Sequence, residues 1–145
     1  MSKLANDLQV TPGDLPWKIL REGAYIKLLR TCPVTGTWVV MLRNDPGTSV
    51  PLHKHNGPAE YYVMKGKVEV RGGVEKGGNT AYAGDYGYEP NGVFHEKTYF
   101  PELTEYLFIN HGSLQYLDDD GNVLMVLDWQ AIEALWEKAE IAEGL

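Results

Sequence analysis

Cysteine is all but missing from this sequence: Cys32 stands alone among 145 residues. No intrachain disulfide can form, and a zinc knuckle built on several thiolates is excluded. Basic residues are also few, 13 Lys plus Arg against 20 Asp plus Glu, for a formal charge of -7. A chain so balanced has little cationic surface with which to neutralise phosphates, so nucleic acid is not an expected partner. Long apolar runs are absent as well. The longest unbroken stretches, such as Trp38 to Leu42, hold five residues, far short of the roughly 20 that cross a bilayer as a helix. The opening stretch, MSKLANDLQVTPGD, carries no apolar signal core, which makes the cytoplasm the expected compartment.

What is present fits one folded domain. Hydrophobic residues make up 43% and charged residues 23%, values of a globular protein rather than a disordered one. The length suits a single core. Neither an internal repeat nor a linker interrupts it.

Residues 1–20 mix turn residues with an apolar patch at Leu15, Trp17, Ile19 and Leu20, which reads as an N-terminal arm laid over the body. From 21 to about 127, short β-rich runs alternate with turns: Thr37 to Leu42, Glu60 to Met64, Lys67 to Arg71, Val93 to Phe100 and Thr104 to Ile109. Many short strands with closely spaced turns predict a sandwich or barrel. Asp120-Gly121 between the runs Leu114 to Leu117 and Val123 to Leu127 predicts a hairpin. Beyond it, Asp128 offers an N-cap. Trp129, Ile132, Trp136 and Ala139 recur at spacings of three and four, predicting a terminal helix within 128–142.

Two glycine-framed segments carry nitrogen ligands at fixed spacings. The first is Gly47-x5-His53-x-His55-x4-Glu60-x5-Gly66 and the second is Gly84-x5-Pro90-x-Gly92-x2-His95. On a strand, residues i and i+2 share a face, so His53 and His55 can aim at one interior point. His95 can join them if the intervening strands fold back. Three neutral imidazoles leave coordination positions open on a divalent ion, the mark of a catalytic rather than a structural site.

These segments resemble the two signature motifs of the cupin superfamily. The run from Gly57 to Pro101, with its EVRGG and HEKT stretches, and the strand, hairpin and helix over 113–136 are similar to the acetylacetone-cleaving, or diketone-cleaving, dioxygenases. The resemblance implies an all-β, single-domain cupin (a double-stranded β-helix, or jelly-roll barrel) with a C-terminal helix. It implies iron(II) held by His53, His55 and His95, with zinc or nickel able to occupy the site in recombinant protein. The reaction implied is oxygen-dependent cleavage of a carbon-carbon bond in a β-diketone or aryl ketone, giving a carboxylic acid and a 2-oxo-aldehyde. A homo-oligomer, dimer or tetramer, is expected by the same analogy.

The sequence departs from the superfamily pattern in two places. Tyr99 stands where the second motif usually has asparagine. Counting back from Gly66, the ligand glutamate of many cupins would fall at Ala59, while Glu60 is one step out of phase and so turned to the opposite face. Glu89, six residues before His95, is the carboxylate that the resemblance sets beside the metal, as an outer acid or base. Tyr61, Arg71 and Thr98 join the catalytic set as cavity lining on the same ground; read from the residues alone, they are equally ordinary strand or surface positions. His111 is a leftover histidine, and Trp38, Trp129 and Trp136 read as packing residues. Other chemistries remain open: a zinc-dependent hydrolase or isomerase, or a non-enzymatic cupin that binds a small ligand.

Overall fold

The computed structural model describes residues 7–95 and 98–145, the side chain of His95 excepted. Alternating burial along the strands builds the architecture. β1 (Lys18–Arg21), β2 (Ala24–Thr31) and β3 (Trp38–Asn44) lead into the short β4 (Thr48–Val50) and β5 (His53–Asn56). There follow β6 (Ala59–Lys65), β7 (Lys67–Val70), β8 (Asn79–Tyr82), β9 (Tyr86–Glu89), β10 (Phe94–His95) and β11 (Thr98–Phe100). β12 (Thr104–Asn110), β13 (Ser113–Leu117), β14 (Val123–Leu127) and helix α1 (Trp129–Lys138) complete the chain.

All pairings are antiparallel, in three sheets ordered β1-β2-β3-β12-β6-β9, β10-β5-β13-β14 and β4-β11-β7-β8. Several neighbours in these orders, such as β3 with β12 and β5 with β13, are distant in sequence, which wraps the sheets around one interior. The interior holds Ile26, Leu28, Trp38, Val40, Val63, Phe100 and Phe108. Along β12, Thr104, Tyr106, Phe108 and Asn110 are buried and their neighbours are not, a period of two that turns one face inward.

The expected continuous run from Val93 to Phe100 is divided instead: β10 pairs with β5 in one sheet, and β11 pairs with β4 and β7 in another. The sheet also begins inside the expected arm, at Lys18, with Trp17 buried just ahead of it. The helix stops at Lys138, short of the expected 142, because Ala139 is extended and the following segment pairs with the outer edge of β1. Ile19 N donates to the Glu140 carbonyl and Ala142 N to that of Trp17, each at 2.8 Å. Asp128 caps the helix by accepting from Ala131 N, and Ile132 is its fully buried anchor. No helix among the described residues is long and apolar enough to cross a membrane.

Candidate active site

His53 and His55 lie one step apart on the inward face of β5, 4% and 0% exposed, with ring centroids 5.1 Å apart. Nδ1 of His53 lies 2.8 Å from the Pro51 carbonyl. A carbonyl only accepts, so Nδ1 carries the proton and the lone pair sits on Nε2, the arrangement seen in metal-ligating histidines with a backbone outer partner. His55 Nε2 lies 2.6 Å from Glu89 Oε2.

His95 reaches this point through its backbone, pairing directly with His53 across β10 and β5. Its side chain lies outside the described residues. Among the described side chains no group of three His, Cys, Asp or Glu assembles a metal cage. Even so, the donors present, two buried imidazoles on one face with one tautomer fixed, fit a borderline divalent cation such as iron or zinc better than a hard, oxygen-seeking one.

The displaced glutamate is resolved by register. Ala59 is buried, and Glu60 turns outward, where it accepts from the Tyr86 hydroxyl at 2.5 Å and meets His111 Nε2 at 2.8 Å. These two contacts hold the Glu60 carboxyl below its ordinary range, in spite of some desolvation. Directly across from Ala59 on β9 stands Glu89. The methyl side chain of Ala59 leaves the carboxylate of Glu89 room to point inward, toward His55. Tyr61, two residues beyond Ala59, faces the same way, and Gly87 makes its place: a Cβ there would come within 2.0 Å of the Tyr61 ring. Burial, followed by the charges of Glu89 and Asp85, raises the Tyr61 hydroxyl above its usual range.

His53, Tyr61, Glu89 and Thr98 all line one cavity, whose walls are otherwise largely aliphatic and aromatic. Thr98 is buried and its Oγ1 has no hydrogen-bond partner among the described residues. Arg71 is not in that cavity. It stands exposed in the turn after β7, in a shallower hollow that shares Tyr61, Val70 and Glu89 with the interior one. Its backbone is left-handed (φ 53°), an uncommon conformation for a residue with a Cβ. Its Nη2 donates to the Phe94 carbonyl at 3.1 Å, tying the turn to the strand that carries His95.

Sequence reasoning missed Arg21 and Asn44, which line the cavity away from Glu89. The inward period through Trp38, Val40 and Leu42 reaches Asn44 and was the available signal, masked by the turn residues that follow it. Arg21 had no such signal.

A family model described as the ChrR cupin-like domain matches residues 5–115. The chain belongs to the ChrR cupin-like family. Within that family setting it is 40% identical over 110 residues to the acetylacetone-cleaving enzyme of Acinetobacter johnsonii, covering 76% of this chain and 72% of the relative. The crystal structure of the acetylacetone dioxygenase from Acinetobacter johnsonii superposes with a TM-score of 0.89 at 34% identity, covering 97% of each chain. That of a putative acetylacetone dioxygenase from Methylibium petroleiphilum PM1 gives 0.88 at 35% identity, over 94% of this chain and 97% of that one. This ChrR cupin-like protein is therefore an enzyme, a dioxygenase of the cupin fold that takes a small-molecule substrate and O2.

Proposed function

We propose that the protein is an iron(II)-dependent dioxygenase that cleaves a carbon-carbon bond of a β-diketone or a related ketone. One molecule of O2 is consumed, and the products are a carboxylic acid and a 2-oxo-aldehyde. His53, His55 and His95 hold the metal. The observation that carries this reading is the placement of His53 and the Glu89 carboxylate at the wall of a largely apolar cavity, with the buried His55 beside them. The likeness to acetylacetone-cleaving relatives supports the substrate class.

When bound, the metal supplies Lewis acidity toward the two substrate oxygens and a place to meet O2. The protein's own groups do the rest. The central carbon of a β-diketone is acidic, and Glu89 is placed to take its proton and hold it on Oε2. The proton taken from carbon leaves a delocalised enolate, whose charge a site with three neutral ligands favours. Tyr61 and Thr98 present hydroxyl groups to the same space and orient the substrate. Arg71 acts from outside, as a positioning residue that fixes β10. The aliphatic walls exclude water, so that oxidation is not diverted to hydrolysis.

The protein works as a homo-oligomer. Val123, Leu124, Met125 and Val126 are all exposed on β14, the edge strand of its sheet. An uncharged apolar edge invites pairing with another chain.

Aerobic incubation of the iron(II)-loaded protein with pentane-2,4-dione is expected to consume oxygen and diketone in equal amounts. No uptake across a panel of β-diketones and aryl ketones would overturn the assignment. His95→Ala is expected to lose the metal, and full retention by that variant would remove His95 from the ligand set.

A further inference from the structure

The interior cavity has a second polar end that diketone cleavage leaves unused. Trp38, Asn110, Ala59 and Glu89 form one row across four neighbouring strands. Asn44 is at the other end of β3 from Trp38, and yet it lines the same cavity, beside Arg21 and Tyr106. Leu42, Val50, Val68, Phe108 and Leu114 make up much of the remaining wall. The cavity thus offers an imidazole and a carboxylate, an apolar wall, and a further set of hydrogen-bond donors.

Asn44 and Arg21 are poorly matched within the protein. Asn44 is 3% exposed, and its Nδ2 has no well-formed hydrogen bond among the described residues, its side chain acting only weakly on the Tyr106 hydroxyl. Leaving such a donor buried and unmatched costs free energy that a ligand acceptor would recover. Arg21 has no carboxylate within ion-pair distance among the described residues. Arg21 lines the cavity with Tyr106 and Tyr116, and its charge acts on both hydroxyls, while that of Glu89 also reaches Tyr106. Burial raises the Tyr106 hydroxyl and keeps it protonated, able to donate. The Tyr116 ring lies 5.7 Å from that of His53, so a single side chain bridges the histidines and the Arg21 end.

We propose that the substrate is a β-diketone bearing a carboxylate on a short methylene arm, and that Arg21, Asn44 and Tyr106 bind this carboxylate. The inference rests on the diketone reading of the histidine end. A planar guanidinium flanked by an amide and a hydroxyl suits a carboxylate, with charge-assisted hydrogen bonds that a neutral chain end cannot form.

A matched pair of substrates tests this: 4,6-dioxoheptanoate and its neutral counterpart heptane-2,4-dione, compared by oxygen uptake. The iron(II)-loaded protein is expected to favour the acid in kcat/KM by about tenfold or more, the scale of one charge-assisted hydrogen bond. Arg21→Met is expected to bring that ratio to unity or below, and Arg21→Lys to keep part of it. Calorimetric titration of the metal-free protein supplies a second readout, with the acid binding more tightly than the neutral diketone and Arg21→Met abolishing the difference. Turnover of both diketones with no preference for the acid would overturn this inference and leave the proposed function standing. Arg21-dependent binding of the acid without turnover of any diketone would do the reverse. Equal binding of both compounds, with no turnover, would overturn both.

Discussion

Glu89 and Ala59 face each other across β9 and β6, and that pairing explains how the site keeps a carboxylate after losing the one many cupins place on β6. The Glu89 oxygen comes within 2.6 Å of His55, close enough to take a proton from a substrate held there. Glu89→Gln keeps the shape and removes the proposed base. It is expected to lower kcat by about a hundredfold to ten-thousandfold while the protein retains its metal, read by oxygen uptake and metal analysis together. An unchanged kcat would show that another group takes the proton. Outside the barrel, Glu60 has the opposite character, a carboxylate serving structure. Its pKa is lowered in the fold by Tyr86 and His111, so its stabilisation is fully present above its ordinary value of 4.5 and is lost as pH falls through the depressed one. Thermal melts across acidic pH should therefore converge for the parent protein and Glu60→Gln as pH drops below 4.5, and separate above it.

Among the elements, β9 shows how a small residue serves a large one. Gly87 lies opposite Tyr61, where a methyl group would meet the tyrosine ring. Gly87→Ala is expected to cost about 1–3 kcal/mol as overpacking, or to displace Tyr61 from the cavity. Melting temperature and kcat/KM read the two outcomes, and a variant unchanged in both would contradict the packing account. At helix α1, Asp128→Ala removes the acceptor for Ala131 N and should cost about 1 kcal/mol, a fall of about 3 to 5 °C in melting temperature. Legibility in the sequence followed the same elements. The period of two on β5 is local, so the shared face of His53 and His55 was readable from spacing, while the outward Glu60 was readable only by its phase against the superfamily motif. Glu89 precedes Pro90 and Gly92, which break the strand period, so its inward direction follows only from its register with Ala59. The division between β10 and β11 was unreadable for a related reason: both segments are β-prone, and their separation is decided by which sheet supplies partners. The helix ends early because the tail finds hydrogen bonds along β1, a tertiary effect with no local signal.

For the whole molecule, three sheets close on one interior, and what the surface leaves uncovered bears on assembly. β14 presents four consecutive exposed apolar residues on an outer edge. Light scattering at micromolar concentration is expected to give a mass that is a multiple of 16.2 kDa, and Met125→Lys should lower it. A monomer in the parent protein would contradict that reading. The cavity is the other molecular feature, and its mainly apolar wall is suited to shielding an oxidation from solvent. A hydrolytic zinc site would need water at the same place. The two chemistries differ in where the product oxygen comes from. The most direct test is turnover of pentane-2,4-dione by the iron(II)-loaded protein under ¹⁸O2, with mass spectrometry of both products. One labelled oxygen in the acetic acid and one in the methylglyoxal is the predicted result, allowing for exchange of the aldehyde oxygen with water. Acetic acid labelled only from solvent water, with acetone as its partner product, would contradict the dioxygenase account.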